Sequence, residues 1–363
     1  MLTDATSPEV RRSGIGGSDS AAICGESPWA TPLDVYLSKR GLVEKEQNEA
    51  AEWGQILEPT VLRQYALRQG VFVVGRGEEG DVHGWDGEGT SAFGGYGSAA
   101  EEYLNTIRDP NRHWRMCHLD GLVIDEKSRR PVRLIEGKTS GSRRGHEWGE
   151  SGTDEVPQEY VIQAHHNAGV FAASSGLWLP VDIPVLIGGS VWKIFTINPD
   201  PTLDQEIFER EQEFWENHIL KEEPPPATAR DKKALSALYL VSEEEKEIIV
   251  EAESDLGEAI RDLREDKNRA KMAEDAKVFS ENLVKERMQD ASVLVGDFGT
   301  ITWKTGKDRQ VVDWKAIALG LEGQDGWAEL KALHTTGKSG FRTFRTYFKE
   351  VRDDDSNSGT HEV

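Results

Sequence analysis

The stretch RMCHLDGLVIDEKSRRPVRLIEGKTSGS, residues 115–142, has the pattern of two β-strands joined by a tight turn. Apolar residues alternate over 116–124 and again over 132–137, and the polar segment between them centres near Ser128 and Arg129. Alternation interrupted by turn-forming residues predicts an antiparallel hairpin with one buried face. This hairpin is the element from which the rest of the fold is predicted.

The register of the hairpin brings three charged side chains together. With the turn at that position, residue 120 lies across from about residue 137. Because side chains alternate between the two faces of a strand, Glu136 and Lys138 point the same way and Gly137 points the opposite way. Asp120 then lies diagonally within reach of both charged residues. We therefore predict that two carboxylates and an ammonium group meet on one patch of sheet.

Such a patch is typical of phosphodiester hydrolysis. Carboxylate oxygens bind Mg²⁺, and the ion neutralises the scissile phosphate and lowers the pKa of a bound water. A neighbouring lysine can orient or deprotonate that water, and can stabilise charge in the transition state. An ordinary Asp-Gly turn with a surface Glu–Lys pair on a strand edge has the same residues, so the hairpin alone leaves both interpretations open.

A further carboxylate lies in WGQILEPTVLRQY, residues 53–65. Pro59 suits the first turn of a helix, which places Glu58 at the N-terminal end of that helix. An acid at this position is also favoured by the helix dipole alone. Glu58 is therefore a candidate site residue with an ordinary structural alternative.

A second helix is predicted to begin near Pro157, in VPQEYVIQAHHNAGVF, residues 156–171. Helical spacing puts Tyr160 and Gln163 on one polar face, together with either His166 or Asn167. The opposite, buried face consists of Val161, Ala164, Ala168 and Phe171. A polar helix face is commonly just solvated, and the adjacent residues His165 and His166 point in different directions and make a poor metal pair.

The glycine-rich stretch RRSGIGGSDSAAICG, residues 11–25, is not a nucleotide-binding loop. It lacks the GK[ST] sequence, and no third glycine completes the dinucleotide fingerprint. We predict a short helix over Ser20–Cys24 with Ser18 as its cap. A glycine turn before a helix start offers N–H groups to an anion, although a purely structural turn has the same sequence.

Composition excludes several classes of protein. The chain of 363 residues is 37% hydrophobic with two cysteines, which are too few for a disulfide framework or a four-cysteine iron–sulfur cluster. No apolar run approaches the roughly 18 residues of a membrane span, and the N-terminus does not resemble a secretory signal. We expect a cytoplasmic protein with no membrane association.

The net charge of −22 argues against a binder of polyanions. The acidic residues are concentrated in 241–290 and 349–363, however, whereas arginine pairs occur at 11–12, 129–130 and 143–144. Net charge affects solubility and association rather than the chemistry of one groove. A DNA-binding cleft is compatible with this charge if the acidic side chains face outward and arginines and lysines line the cleft (Arg11, Arg12, Lys39, Arg40, Arg143, Arg144).

Proline and glycine mark the organisation of the chain. Residues 75–100 are rich in glycine and predict an exposed loop. Residues 200–223 have helical spacing, and Pro224–Pro226 cannot continue a helix, so we place a domain boundary at 226.

Beyond the boundary, Ser242 and Glu245 form a capping box that opens a long helix. Apolar residues recur every seven positions along it (Ile249, Leu256, Leu263, Ala270), which indicates a helical hairpin or short coiled coil, or alternatively a partner-docking arm. The stretch that follows predicts a β-hairpin with its turn at Lys304–Asp308.

Five segments, in order, resemble the YqaJ-like viral recombinase family, relatives of lambda exonuclease within the PD-(D/E)xK nuclease superfamily. The resemblance covers roughly residues 11–226. The segments are GIGGSDSAAICGESPWATPLDVYLSKRG (14–41), GQILEP (54–59), HLDG (118–121) with EGK (136–138), VPQEYVIQ (156–163) and FWENHILKEEPPP (214–226).

The resemblance implies an α/β fold with a PD-(D/E)xK restriction-endonuclease-like core, a mixed central sheet of about five strands flanked by helices. The nuclease domain would span 1–226 with a glycine-rich insertion at 75–112, and an acidic helical and β-hairpin extension would span 227–363. The implied activity is Mg²⁺-dependent exonuclease digestion of duplex DNA from its ends, 5′-to-3′, which generates single strand for phage-type recombination. A two-metal site is implied, with Mn²⁺ able to substitute. The implied partners are DNA ends, a single-strand annealing protein and other copies of the chain in a ring.

The resemblance also assigns roles to single residues. It implies that Asp120 and Glu136 bind Mg²⁺, that Lys138 positions the water, and that Glu58 is a further carboxylate near the second metal. The remaining implied roles are a metal contact from the Gly137 carbonyl, support of the active-site or DNA geometry by Gln163, contacts to the phosphate of the DNA end by Arg12 and Ser18, and DNA binding by Tyr160. The middle residue of the Glu-x-Lys motif is usually larger and apolar in the family, so glycine at 137 is a departure.

Two other functions remain open at this point. One is an endonuclease of the same fold that acts on branched or single-stranded DNA. The other is a catalytically silent module that binds DNA ends or proteins and recruits partners through its acidic tail. The complete set of Glu58, Asp120, Glu136 and Lys138 argues against a silent module.

Overall fold

The structure is a computed structural model that describes residues 7–43, 49–77, 82–88, 103–243, 246–306, 313–322 and 324–335. The chain divides into two compact units, residues 1–240 and 241–363. The first unit extends past the boundary predicted at 226, because Ala234 is buried in a core shared with Leu33 and Phe214.

Helices of the first unit flank a central sheet. They are α1 (Pro8–Arg12), α2 (Gly17–Ile23), α3 (Pro32–Lys39), α4 (Glu49–Gln69), α5 (Gln158–Ser175), α6 (Pro201–Phe214) and α7 (Lys232–Leu238). A 3-10 helix (Ser142–Glu147) follows the last strand of the predicted hairpin, and a π-helical turn (Trp215–Ile219) extends α6.

The strands, numbered along the chain, form a seven-stranded mixed sheet and a separate two-stranded ribbon. They are β1 (Phe72–Arg76), β2 (Val82–Trp85), β3 (Ile107–Asp109), β4 (Arg112–Cys117), β5 (Gly121–Ile124), β6 (Pro131–Ile135), β7 (Lys138–Ser140), β8 (Val181–Ile187) and β9 (Val191–Ile197). The ribbon is β3 with β4. In the sheet, β2, β1, β5 and β6 are consecutive neighbours, and β8 pairs in parallel with β6 and β7 and antiparallel with β9.

The predicted α/β class, with a mixed sheet flanked by helices, is confirmed. The sheet has seven strands instead of about five. One reason is that the run 131–140 is interrupted at 136–137, which makes β6 and β7 two strands that both pair with β8. The other is that residues 82–85 add an edge strand.

Strict alternation along the strands separates two cores. Leu122 of β5 and Leu134 of β6 face α5 and pack near Phe171, whereas Val123 and Ile135 face α4. Both faces of these strands are buried, which requires apolar residues at consecutive positions. The sequences of β5 and β6 are therefore hydrophobic over several consecutive residues. Helices α4 and α5 therefore pack on opposite faces of the sheet.

The predicted hairpin is present, with one change in register. Gly121 pairs with Ile135, so residue 120 lies opposite 136 instead of 137. The turn lies at the predicted place, and Arg129 adopts the left-handed conformation there (φ 59°). The run 116–124 is not one strand: β4 ends at Cys117 because it pairs with β3, and β5 begins at Gly121.

The region predicted as a glycine-rich loop contains β-structure. Residues 82–85 pair with β1, and residues 107–112 belong to the β3–β4 ribbon. Backbone pairing to a neighbouring strand outweighs the turn-forming composition at these positions. Residues 78–81 and 89–102 lie outside the described part of the chain.

Two helices begin earlier than predicted. Helix α4 begins at Glu49 and runs through Pro59, so Glu58 lies in the middle of the helix and not at its N-terminus. Helix α2 begins at Gly17, and its cap is Gly16 instead of Ser18, because the Asp19 carboxylate accepts the Gly16 N–H at 3.1 Å.

Helix α5 begins after Pro157 as predicted, but its polar face is not solvated. His165, His166 and Asn167 are all buried, whereas Val161 is only half-buried. The polar side chains of this helix are therefore paired inside the protein instead of facing water.

The second unit contains one long helix and a small hairpin, as predicted, but at shifted positions. Helix α8 (Asp255–Met288) begins at a Ser254 cap whose side chain accepts the Gly257 N–H, and not at Ser242. Glu245 lies outside the described residues. Ile249 precedes the helix, so the seven-residue repeat is only partly helical.

Strands β10 (Val293–Gly296) and β11 (Gly299–Thr302) form the hairpin, with the turn at 297–298 instead of 304–308. Asp308 itself lies outside the described residues. Two short helices follow, α9 (Trp314–Leu321) and α10 (Trp327–His334). Among the described residues, no helix combines the length and the apolar character needed to span a membrane.

Candidate active site

A pocket of about 420 Å³ lies where α2, α4 and α5 meet the ends of β5 and β6. The three predicted carboxylates Glu58, Asp120 and Glu136 all line it. The polar and charged residues that also line the pocket include Arg11, Ser18, Lys39, Arg76, His118, Gln163 and Asn167. The pocket therefore gathers residues from segments far apart in the sequence.

Glu136 is the best-held of the three carboxylates and is 3% exposed. Its Oε1 accepts hydrogen bonds from Lys138 Nζ at 2.6 Å and from Gln163 Nε2 at 2.5 Å. Its Oε2 accepts from Asn167 Nδ2 at 3.0 Å. Two side chains of α5 and one of β7 thus hold the carboxylate in a fixed orientation.

These bonds leave a defined binding capacity on Glu136. A carboxylate offers about four lone-pair sites, two on each oxygen. Oε1 uses both of its sites on Lys138 and Gln163, while Oε2 uses one on Asn167. Glu136 can therefore accept one further ligand in its plane, through Oε2, without losing a bond.

Asp120 lies on the connection between β4 and β5, next to Gly137. Its Oδ2 accepts the Gly137 N–H at 2.9 Å. Burial, and then the charges of Glu136 and Glu58, raise the pKa of Asp120 well above its usual value, against the opposing effect of Lys138. The repulsion shows that the carboxylates are close enough to interact strongly.

Glu58 enters the pocket from the middle of α4. Burial raises the pKa of Glu58 to about 7, the charge of Glu136 adds to the shift, and Lys138 and Arg76 oppose it. Glu58, Asp120 and Glu136 repel one another, and the neighbouring cations offset only part of this repulsion, because the pKa values of Glu58 and Asp120 stay raised. A divalent cation would relieve this repulsion.

Lys138 is the positive group of this cluster. Burial alone would lower the pKa of Lys138, but the carboxylates of Glu136 and Asp120 raise it above its usual value. The ammonium group also lies 4.9 Å from the centroid of the Tyr160 ring, which stacks on Trp148 at 5.3 Å. Lys138 is therefore a cation at neutral pH in this state.

Gln163 and Asn167 complete the arrangement from one face of α5. Gln163 donates to Glu136 and accepts from Lys138 at 3.2 Å, so both ends of its amide are engaged. Either His166 or Asn167 was predicted to share the polar face of this helix with Gln163. The structure places Asn167 in the pocket. His166 instead contacts Glu211 at 2.6 Å and the Met116 carbonyl at 2.8 Å.

A comparison with known protein families gives one match. Residues 8–175 match the family described as the YqaJ-like viral recombinase domain. We refer to residues 8–175, which are similar to that family, as the YqaJ-like domain. The matched range contains Glu58, Asp120, Glu136, Lys138 and Gln163.

Individual relatives extend the picture. The chain is 28% identical over 301 residues to the uncharacterized protein YqaJ of Bacillus subtilis (strain 168), a match that covers 81% of each chain. Among solved structures it is similar to LHK-Exo, an alkaline exonuclease from Laribacter hongkongensis, with 16% identity, a TM-score of 0.38, and coverage of 59% of this chain and 91% of that chain. The complex of LHK-Exo with dAMP gives 16% identity and a TM-score of 0.38, covering 62% and 95%.

The basic wall of the YqaJ-like domain differs from the prediction. Arg11, not Arg12, lines the pocket, whereas the Arg12 guanidinium lies beside Gly41. Lys39 Nζ donates to the Arg11 carbonyl at 2.7 Å and to Asp19 Oδ2 at 2.5 Å. Ser18 lines the pocket as predicted, although it does not cap the helix.

His118 is a pocket residue that sequence analysis missed. Burial lowers the pKa of His118 to about 4, and Arg11, Arg108 and Arg76 add to the effect, so its imidazole is neutral. Its Nε2 lies 3.0 Å from Thr106 Oγ1. The sequence signal that could have pointed to His118 is its position two residues before Asp120. Its lowered pKa, however, depends on basic side chains from three other segments.

The donor set of the YqaJ-like domain suits a hard divalent cation. Carboxylate and carbonyl oxygens bind Mg²⁺ or Mn²⁺, whereas zinc sites use thiolate and imidazole ligands. Within the described residues, no three Asp, Glu, His or Cys side chains are grouped closely enough to hold a metal ion in this conformation. The carboxylates are instead held by Lys138 and amide donors, with the free capacity on Glu136 described above.

Gly137 departs from the larger residue usual at this position. A Cβ at Gly137 would lie 3.4 Å from Val61 Cγ1, which is an ordinary contact. Space therefore does not require glycine here.

Proposed function

We propose that this YqaJ-like domain is a divalent-metal-dependent deoxyribonuclease that digests duplex DNA from its ends. The observation that carries the proposal is that Glu58, Asp120 and Glu136 line one pocket and that Lys138 bonds to Glu136. These four residues come from one helix, one strand and two connections between strands. An ordinary surface Glu–Lys pair would not be buried with two further acids. The pKa shifts of Glu58 and Asp120 are typical of a functional site.

Asp120, Glu136 and Glu58 would hold Mg²⁺, with the Gly137 carbonyl as a further oxygen ligand, and the three carboxylates provide enough oxygens for two ions. The bound cations would neutralise the scissile phosphate and lower the pKa of a water molecule. Glu136 would contribute through Oε2, because its other oxygen is saturated by Lys138 and Gln163. Mn²⁺ has the same oxygen preference and is expected to substitute for Mg²⁺.

The residues around the carboxylates provide orientation and charge. Lys138, held by Glu136 and Gln163, would orient the attacking water and stabilise negative charge on the phosphate in the transition state. Its raised pKa favours this role over that of a general base. Gln163 would hold Lys138 and Glu136 in fixed positions relative to each other, since it bonds to both of them.

The DNA end would enter along the basic wall of the pocket. Ser18, Arg11, Lys39 and Arg76 line it, and Arg12 lies in the same short helix as Arg11. We keep Arg12 and Ser18 as proposed contacts to the terminal phosphate and add Arg11. Tyr160, also proposed as a DNA contact, packs between Lys138 and Trp148 and would reach DNA only along its ring edge.

The finer features of the activity follow from the family resemblance. They are 5′-to-3′ polarity, supply of single strand for phage-type recombination, cooperation with a single-strand annealing protein, and assembly into a ring. The described residues neither require nor contradict a ring. A cytoplasmic location belongs to the same set of proposals.

Digestion of matched DNA substrates tests the proposal. Purified protein is incubated with Mg²⁺ and either a linear duplex labelled at one 5′ or 3′ end, or the same DNA as a covalently closed circle. We expect progressive loss of the linear duplex from its 5′ ends and intact circles, with no reaction in EDTA. Nicked or linearised circles would instead identify an endonuclease, and DNA binding without cleavage would identify a silent module.

A further inference from the structure

Asp182 is a buried carboxylate outside the pocket, on β8 behind the active-site strand. It is 4% exposed and accepts three side-chain hydrogen bonds. The Tyr65 hydroxyl donates to Oδ2, and Arg133 Nη1 at 3.0 Å and Thr196 Oγ1 at 2.7 Å donate to Oδ1. Its main-chain carbonyl accepts the N–H of Glu136 at 2.9 Å. A buried acid with this many partners is a fixed point of the structure.

Through these bonds, Asp182 connects the segment that carries Glu58 with the segment that carries Glu136. Its main chain holds Glu136, which follows β6 directly. Its side chain holds Tyr65 of α4, and Tyr65 lies seven residues after Glu58, on the same face of the helix through Leu62. One residue thus ties the helix of Glu58 to the strand of Glu136.

Helix α4 needs such an anchor near the pocket. Pro59 has no N–H to donate to residue 55, which weakens the helix immediately after Glu58. The first turns of α4 are exposed at Trp53 and Ile56, so the orientation of Glu58 depends on how the second half of the helix is fixed. The apolar side chains of that half set its distance from the sheet, whereas a directional hydrogen bond also sets its rotation about its own axis.

We propose that Tyr65 and Asp182 are positioning residues that set the placement of Glu58 relative to Glu136, and thereby the affinity of the pocket for divalent cations. This inference rests on the proposed metal-dependent function. Residues that orient metal ligands from behind typically change metal affinity or activity by about 10–100-fold when they are mutated.

Tyr65→Phe removes only the hydroxyl. The matched control is Thr196→Val, which removes another bond to the same carboxylate from β9, without touching α4. Mn²⁺ affinity is measured by titration calorimetry on the full chain without DNA, together with the melting temperature in EDTA and kcat and KM on linear duplex. We expect Tyr65→Phe to weaken Mn²⁺ binding about tenfold and to lower kcat with little change in KM. Thr196→Val should lower the melting temperature by a similar amount and leave Mn²⁺ binding unchanged.

A second pair of variants keeps the test decisive if Tyr65→Phe does not fold. Asp182→Asn retains an oxygen that can accept from Tyr65, whereas Asp182→Ala does not, so Mn²⁺ affinity should be closer to wild type in the former. Equal Mn²⁺ affinity in wild type and Tyr65→Phe, or equal weakening in Tyr65→Phe and Thr196→Val, would overturn the inference. Failure of the wild-type protein itself to bind Mn²⁺ or cleave DNA would instead overturn the proposed function.

Discussion

Glu58 lies half-buried in the middle of a helix, and it shares its pocket with the carboxylates of Asp120 and Glu136. Arg11, Lys39 and Arg76 line the same pocket. Burial and the charge of Glu136 raise the pKa of Glu58 to about 7, so the folded protein holds this side chain under repulsion near neutral pH. Such an arrangement costs stability in the metal-free protein, and under the proposed function it would provide ligands for the metal. Under the proposed function, the pocket would therefore couple the stability of the protein to pH and to metal binding.

Replacing Glu58 with Gln should stabilise the metal-free protein at alkaline pH. A carboxyl whose pKa rises from 4.5 unfolded to about 7 folded contributes stability below pH 4.5 that is lost as pH rises through 7. Glu58→Gln removes this loss, so its advantage over wild type should grow between pH 5 and 8 to about 1–3 kcal/mol. Thermal unfolding in EDTA across this range measures it, and a difference that does not change with pH would contradict the pKa of Glu58.

Replacing Lys138 with Met should separate metal binding from chemistry. The substitution removes the cation proposed to face the scissile phosphate, and we expect kcat to fall about 10²–10³-fold. Mn²⁺ binding should be retained or strengthened, because a competing positive charge leaves the pocket. Lys127→Met, in the exposed turn of the same hairpin, is the control and should leave both quantities unchanged. Equal activity of the two variants would rule out the assigned role of Lys138.

At the scale of elements, α2 packs against the face of α5 that holds Glu136. Gly17 makes this close approach possible, because a Cβ there would lie 2.8 Å from both Asn167 Oδ1 and Gln163 Cγ. The two amides that orient the Glu136 carboxylate are thus in close contact with the first turn of α2.

Gly17→Ala should push these amides out of position. We expect activity to fall about tenfold with a lower melting temperature, since overpacking of a tight contact typically costs about 1–3 kcal/mol. Gly141→Ala is a suitable control, because nothing lies within 4 Å of a Cβ at that position. Steady-state kinetics and thermal unfolding measure both effects. Wild-type activity in Gly17→Ala would show that the amides tolerate displacement.

Local pattern predicted the β5–β6 hairpin because its alternation and turn residues are contiguous in sequence. It placed the start of α4 at Pro59, since proline favours a first helical turn, but the packing of Leu62 and Tyr65 on the sheet sustains a longer helix. It missed His118 and left Asn167 open against His166, because the contacts of these residues arise only when distant segments meet. The motif residues were predicted because the family resemblance already groups residues that are far apart in the sequence.

At the scale of the whole molecule, the charge of −22 and a DNA-binding pocket are compatible. Of the six basic residues expected to line the cleft, Arg11 and Lys39 do so. Two others are paired elsewhere: Arg40 with Glu222 at 2.8 Å, and Arg144 with Glu159 at 2.6 Å. The basic character of the pocket is therefore local.

The division of the chain predicts the result of truncation. Residues 228–231 bind the loop before α3: Arg230 donates to the carbonyls of Ser27 and Ala30, and Thr31 donates to Asp231. A fragment that ends at 240 should keep the melting temperature of the first unit. A fragment that ends at 226 should lose about 2–4 kcal/mol with these bonds and the packing of α7. Equal stability of the two fragments would support the boundary at 226.

The claim on which the proposed function depends is that Glu58, Asp120 and Glu136 form one binding site for divalent cations. Crystals of the full chain soaked in Mn²⁺ and measured at the manganese absorption edge locate the ions directly. We expect anomalous density in the pocket, in contact with Asp120 and the Oε2 atom of Glu136, that weakens in Glu136→Gln. Density only at surface carboxylates, or none in the pocket at saturating Mn²⁺, would contradict the metal-dependent mechanism.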